Sequence, residues 1–111
     1  FITLTSTTAQ SSFRTGVRDF VHIDDVGEAF AKAMISNKVG RGEIINIASG
    51  KKVSMEQVAN TIGGKIKFIP KRSFEVDVHH ADISKAKKLL NWKCKINILD
   101  WIKKVLKNEF Y

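Results

Sequence analysis

The 111-residue chain has one cysteine (Cys94), one proline (Pro70) and one tyrosine (Tyr111), the last of these its final residue. A lone cysteine excludes an intrachain disulfide and any cysteine-based zinc cluster. With one proline and 7 glycines there is no Pro/Gly-rich or other low-complexity block, and no segment repeats. No apolar run approaches the length of a membrane-spanning helix. No basic segment followed by an apolar stretch and a small-residue cleavage site opens the chain, so no secretory signal is expected and the cytoplasm is the expected location. The first residue is Phe1 rather than methionine, which suggests a processed or excised chain.

Hydrophobic residues make up 43% and charged residues 27%, an ordinary water-soluble composition that is neither disordered nor membrane-like. A chain of this length forms a single domain, here spanning 1–111, and buries about 65% of the surface its unfolded form exposes. The net charge of +8 invites a nucleic-acid reading, because clustered Lys and Arg neutralise phosphates. The lysines at 85, 87, 88, 103, 104 and 107 instead fall between apolar positions at helical spacing, as on solvated helix faces. Nucleic acid is therefore disfavoured as a partner.

Residues 1–17 are rich in Ser and Thr and read as an irregular N-terminal segment, with a short alternating strand over Ile2–Thr5 and a loop over Ser6–Phe13. Arg18–Ile23 alternates as an extended segment. A helix follows, with Asp24 and Asp25 placed to cap it and Val26, Ala29, Phe30, Ala33 and Met34 on one face; residues 37–42 close it. Ile44–Ala48 is a nearly continuous apolar run bounded by Gly42 and Gly50, the pattern of a strand covered on both faces. Ser54 and Gln57 form a capping box, with Val53 and Val58 as a hydrophobic staple, and the helix they start stops at Gly63-Gly64. Ile66–Ile69 alternates toward Pro70 as an edge strand. Two more helices are predicted, one capped by Asp82 and bearing Ile83, Ala86, Leu89 and Leu90, the other capped by Asn97 and bearing Ile98, Trp101, Ile102, Val105 and Leu106.

Two segments stand out. Arg18-Asp19-Phe20-Val21-His22-Ile23-Asp24-Asp25-Val26 and Ala81-Asp82-Ile83-Ser84-Lys85-Ala86-Lys87-Lys88-Leu89-Leu90-Asn91-Trp92 together resemble the C-terminal signature of the extended short-chain dehydrogenase/reductase family, the NAD-dependent epimerases and dehydratases, and most of all its UDP-galactose 4-epimerases. The resemblance runs from about Gly16 to Leu106. It implies an α/β fold of about four helices with two or three short strands, the substrate-binding portion without the Rossmann half, and a strand at 44–48 left without the sheet it joins in the family. It also implies a UDP-sugar or related nucleotide sugar as ligand. By the same resemblance Arg18 and Arg72 clamp the pyrophosphate, which suits a planar guanidinium able to make two parallel hydrogen bonds. Glu75, three positions after Arg72, falls where an acidic residue meets the ribose hydroxyls, and Thr3 and Thr5 fall where the backbone passes the base.

The sequence departs from the family in two ways. Ser73-Phe74 stands between Arg72 and Glu75 where Gly or Pro is common, and Glu75 replaces a shorter Asp. More consequentially, the Gly-rich dinucleotide loop and the Tyr-x-x-x-Lys acid/base pair are absent. The resemblance then implies no cofactor in this chain, NAD being expected in the Rossmann half, and no activity for the chain alone. A homodimer, or a partner chain bearing the Rossmann half, is expected. A second reading, of a different class, is a non-catalytic remnant or a basic module for nucleic acid.

Other polar residues read as structural. His79 and His80 are adjacent in extended chain and point to opposite faces, so they do not chelate one metal. His22 reads as a satisfied histidine at the strand-to-helix corner. Cys94, although flanked by Lys93 and Lys95, reads as an inert thiol near Trp92.

Overall fold

A computed structural model describes residues 2–6 and 14–108. Most of the predicted Ser6–Phe13 loop, and Tyr111, lie outside the described residues. Four helices and four short strands run in the order β1 (Ile2–Thr5), β2 (Val17–Arg18), α1 (Ile23–Ile35), β3 (Val53–Ser54), α2 (Met55–Ile62), β4 (Ile66–Ile69), α3 (Ser84–Leu90) and α4 (Ile98–Leu106). The class is α/β, as expected. β1 pairs in parallel with β4, Ile2 opposite Ile66, and β2 pairs antiparallel with β3.

The main core is the contact of α1 with α3. Ala29, Ala86, Leu90 and Trp92 form a buried cluster, and Val21, Ala33, Val39, Ile45 and Ile47 pack around it. Trp92 is fully buried, and its indole N–H donates to the Asp25 carbonyl at 2.8 Å, which satisfies the one polar atom this side chain takes into the core.

The capping box is formed in both directions: Ser54 Oγ accepts from Gln57 N at 3.1 Å, and Gln57 Oε1 accepts from Ser54 N at 2.8 Å. Gly63 and Gly64, at φ 88° and 99°, terminate α2 in conformations that side chains resist. Asn97 caps α4, accepting from Leu99 N and Asp100 N at 2.9 and 3.2 Å.

Four local expectations are corrected. The first concerns the cap of α1, which is His22, not an aspartate: its Nδ1 accepts from Asp24 N at 3.0 Å while its ring meets Trp101 edge-on at 5.2 Å. The helix therefore begins at Ile23, the end of the predicted extended segment, and Asp25 is freed for another task. Second, Asp82 lies one residue outside the cap of α3, which is Ile83; its carboxylate accepts from Ser84 N at 2.9 Å, and hydrogen bonds from the Ser84 hydroxyl and then from that N–H lower its pKa. Third, residues 44–48 form no strand, because they enter no ladder or bridge among the described residues. Fourth, Phe30 and Met34 do not share the buried face of α1 but stand 70% and 85% exposed.

Candidate functional site

Backbone bonding fixes the stretch that carries Arg18. Val17 is fully buried; its N–H donates to Asp77 O at 2.7 Å, and its carbonyl accepts from His79 N at 2.8 Å. On the other side, Gly16 O accepts from Met55 N at 2.8 Å. Arg18 folds back along the strand, with Nη1 donating to Val17 O at 2.8 Å. Its guanidinium lies over Gly16, where an added Cβ would approach Nη1 to 3.2 Å, so the glycine leaves the side chain this room. Arg18 has no carboxylate partner among the described residues.

Arg72 and Glu75 sit at the two ends of a turn that leads from β4 into the 77–79 segment. Glu75 N donates to Arg72 O at 3.3 Å. The side chains meet as well, Arg72 Nε to Glu75 Oε1 at 3.0 Å, with Arg72 70% and Glu75 33% exposed. Arg72 Nη2 donates to Thr5 Oγ1 at 3.3 Å, so Arg72 reaches the face of β1 opposite the buried Leu4. Thr3 is exposed on that same face. The structure thus brings together Arg72, Glu75 and Thr5. Arg18 is joined to this turn only through the backbone, since Val17 bonds to the 77–79 segment that follows it, and no contact links the Arg18 side chain to Arg72 or Glu75 among the described residues. Lys71 is occupied by Asp77 at 3.2 Å.

Among the described residues Arg18 meets no carboxylate, and Arg72, 70% exposed, pairs with a half-buried Glu75. A pair with one partner this open to solvent is worth about 0–1 kcal/mol, so Glu75 holds Arg72 only weakly.

Two aspartates, Asp19, to which local pattern assigns no role, and Asp25, which local pattern assigns to a cap, hold this region in place. Asp19 accepts from Ser49 N at 2.7 Å, Gly50 N at 3.0 Å and Ala81 N at 3.2 Å, and from the Ser49 hydroxyl. Gly50 is required there: its φ is +76°, and a Cβ would come within 2.8 Å of Ile83. Asp25, 2% exposed, accepts from Lys95 N at 3.2 Å, Ile96 N at 2.9 Å and the Cys94 thiol at 3.3 Å. Burial, and then the bond to Asp25, push the Cys94 pKa up to about 11, so the thiol is inert despite its lysine neighbours. No local pattern signals either aspartate's role, because the partners lie tens of residues away.

Among known proteins, the UDP-glucuronate 4-epimerase of Thermodesulfobacterium geofontis is 38% identical over 100 residues, covering 83% of this chain and 30% of that protein. The UDP-glucose 4-epimerase of Corynebacterium glutamicum is 34% identical over 84 residues, 70% of this chain and 26% of its own length. This chain belongs to the extended short-chain dehydrogenase/reductase family. It corresponds to the C-terminal part of the family's NAD-dependent epimerases and spans about three-tenths of their length. The solved UDP-glucose 4-epimerase of Stenotrophomonas maltophila, with bound NAD and formylated UDP-arabinopyranose, superposes with a TM-score of 0.75 at 26% identity over 97% of this chain and 34% of its own. The Thermotoga maritima UDP-glucose 4-epimerase with UDP-glucose gives 0.73 at 25% identity, over 94% and 33%. No family model matches the chain.

The described residues do not fit a nicotinamide dinucleotide. Such a cofactor needs a Gly-rich turn opening a helix N-terminus. The one Gly-Gly pair here, Gly63-Gly64, closes α2 at its carbonyl end, where the helix dipole is negative.

Proposed function

We propose that this chain forms the nucleotide-sugar-binding wall of a UDP-sugar epimerase acting in the cytoplasm. In this reading Arg18 and Arg72 grip the pyrophosphate, and Glu75, released from Arg72, accepts from the ribose. Hydride transfer and acid/base chemistry belong to the portion of the fold that holds NAD, so the chain alone is inactive. The Rossmann portion lies outside this sequence, and the chain itself associates either as a homodimer or with a Rossmann-bearing partner. The observation that supports the reading best is that Arg18, without a carboxylate partner among the described residues, and the Arg72–Glu75 pair lie on stretches of backbone joined through Val17 and residues 77–79.

The test is a UDP titration of the purified chain, followed by NMR at physiological salt. Binding is expected to be weak without the opposite wall. Arg18→Ala and Arg72→Ala each lower affinity about tenfold or more, since a charge-assisted bond to phosphate is worth roughly 1.5–3 kcal/mol. Lys103→Ala, on the exposed side of α4, leaves affinity unchanged. Equal losses for all three, or equal affinity for any polyanion with steep salt dependence, would refute the reading in favour of nonspecific attraction.

A further inference from the structure

The loop from Lys71 to Asp77 is fixed at its base and bare at its tip. At the base Lys71 pairs with Asp77 at 3.2 Å, and the Asp77 carbonyl accepts from the N–H of the buried Val17 at 2.7 Å. Above them the chain reverses at Ser73-Phe74, where Glu75 N donates to Arg72 O at 3.3 Å and the Arg72 and Glu75 side chains meet at 3.0 Å. Phe74 is thus the third residue of a four-residue turn. Neither Ser73 nor Phe74 has a positive φ, so the turn takes side chains at both places without strain, and nothing in its geometry asks for an aromatic one.

At 97%, Phe74 is the most exposed large apolar side chain among the described residues. The ring contacts there, Trp101 with His22 and Phe68 with Arg14, do not involve it, so its ring adds nothing to the packing of the fold. Single exposed apolar side chains are ordinary. What sets this one apart is its place between the two residues read above as contacts for a phosphate and a ribose. The first and last Cα atoms of such a turn lie within about 7 Å of each other, so a ligand that meets both residues lies along the tip that Phe74 occupies. The part of a nucleotide that neither Arg72 nor Glu75 touches is its base, which is flat and has apolar faces. Water covers that face and the Phe74 ring alike until the two meet, and their contact releases it.

We propose that Phe74 is a specificity-determining residue that stacks on the base of the bound nucleotide, so that the site selects a nucleoside diphosphate over a bare pyrophosphate. Every base has a π-face, so the contact does not choose among bases. The inference rests on the reading of Arg72 and Glu75 given under the proposed function and adds the part of the ligand that those residues leave untouched.

The test titrates the purified chain and its Phe74→Ala, Phe74→Trp and Arg72→Ala variants with UDP and, separately, with inorganic pyrophosphate, followed by NMR at physiological salt. Phe74→Ala weakens UDP binding about fivefold or more, the low end of what a lost base–aromatic stack costs, and leaves pyrophosphate binding unchanged. Phe74→Trp keeps the UDP affinity, and Arg72→Ala weakens both ligands. In the unsubstituted chain the uracil ring protons shift upfield on binding, as protons over an aromatic face do, and Phe74→Ala abolishes that shift. Unchanged circular-dichroism melts verify that the variants fold. A UDP affinity unaltered by Phe74→Ala overturns the proposal, as does equal loss for UDP and pyrophosphate. A UDP affinity raised by Phe74→Ala also overturns it, by showing that the ring obstructs the site, and so does absence of UDP binding at millimolar concentration. The two readings fail separately: an inert Phe74→Ala beside a damaging Arg72→Ala removes only the stacking, and the reverse pattern removes only the grip on phosphate.

Discussion

Replacing Asp25 by alanine should cost this fold a large share of its stability. The carboxylate is buried and accepts from the backbone N–H groups of Lys95 and Ile96, at 3.2 and 2.9 Å, and from the Cys94 thiol. Alanine leaves both backbone donors without an acceptor in a place water does not reach. Each orphaned donor costs about 1–3 kcal/mol, so the substitution removes roughly 2–6 kcal/mol. A domain this size has about 5–15 kcal/mol in total. With a urea slope of ~2 kcal/mol/M, the unfolding midpoint should fall by about 1–3 M. Asp25→Asn keeps one carbonyl oxygen and should lose less, while Asp24→Ala, whose side chain is 53% exposed, should stay within about 0.5 kcal/mol. Urea unfolding followed by Trp92 fluorescence measures all three. An Asp25→Ala midpoint within 0.3 M or so of the unsubstituted chain would refute the reasoning, since it would mean that the 94–96 segment finds other acceptors cheaply.

Ser54→Ala removes one half of the capping box and should lower stability by about 1 kcal/mol in the same assay, whereas Ser84→Ala, at a helix start with no side-chain cap, should not. Cys94 is an acid whose folded pKa, about 11, lies above its unfolded value, so the stability it contributes is fully present below the ordinary thiol range and is lost as pH rises through 11. Iodoacetamide labelling at pH 8 should therefore run about a hundredfold slower in the native chain than in urea, in proportion to thiolate content; equal rates would show that the thiol is neither buried nor bonded to Asp25.

Much of this fold is legible in local sequence because its elements begin and end on local chemistry. Ser54 and Gln57 satisfy each other's backbone groups three residues apart, Asn97 caps its own helix, and Gly63-Gly64 stops one. The misreadings share a different origin. Asp24-Asp25 looks like a cap because aspartates at a helix start usually are, yet a histidine Nδ1 accepts the same bond, and only the distant 94–96 segment shows what Asp25 does. Periodicity groups Phe30 and Met34 with Ala29 because it counts apolar positions and does not tell a covered position from an open one. Ile44–Ala48 has the composition of a sheet strand, but composition does not supply a neighbour to bond with. Arg72 and Glu75 are three residues apart, and their pairing is a local matter; the bonding of the Arg18 stretch to the segment after them is not, since it runs through Val17 and residues 77–79.

The placement of Arg18 next to Asp19 acquires a physical sense from those long-range bonds. Successive residues of an extended chain point to opposite sides, so the strand that turns Asp19 toward the Ser49, Gly50 and Ala81 amides turns Arg18 away from them. Asp19 has its acceptor capacity filled by four donors and has nothing left to offer the neighbouring guanidinium. Had the carboxylate been free, the adjacent Arg and Asp would neutralise each other and the site would have no uncountered cation. Engaging the carboxylate in these bonds ties the 18–26 segment to the start of the 81–92 segment, and within the proposed function it leaves the Arg18 guanidinium for an anion. Within the proposed function, Asp19 is a positioning residue. Asp19→Asn should lower stability through its weaker acceptors and also weaken UDP binding, even though no atom of Asp19 need touch the nucleotide.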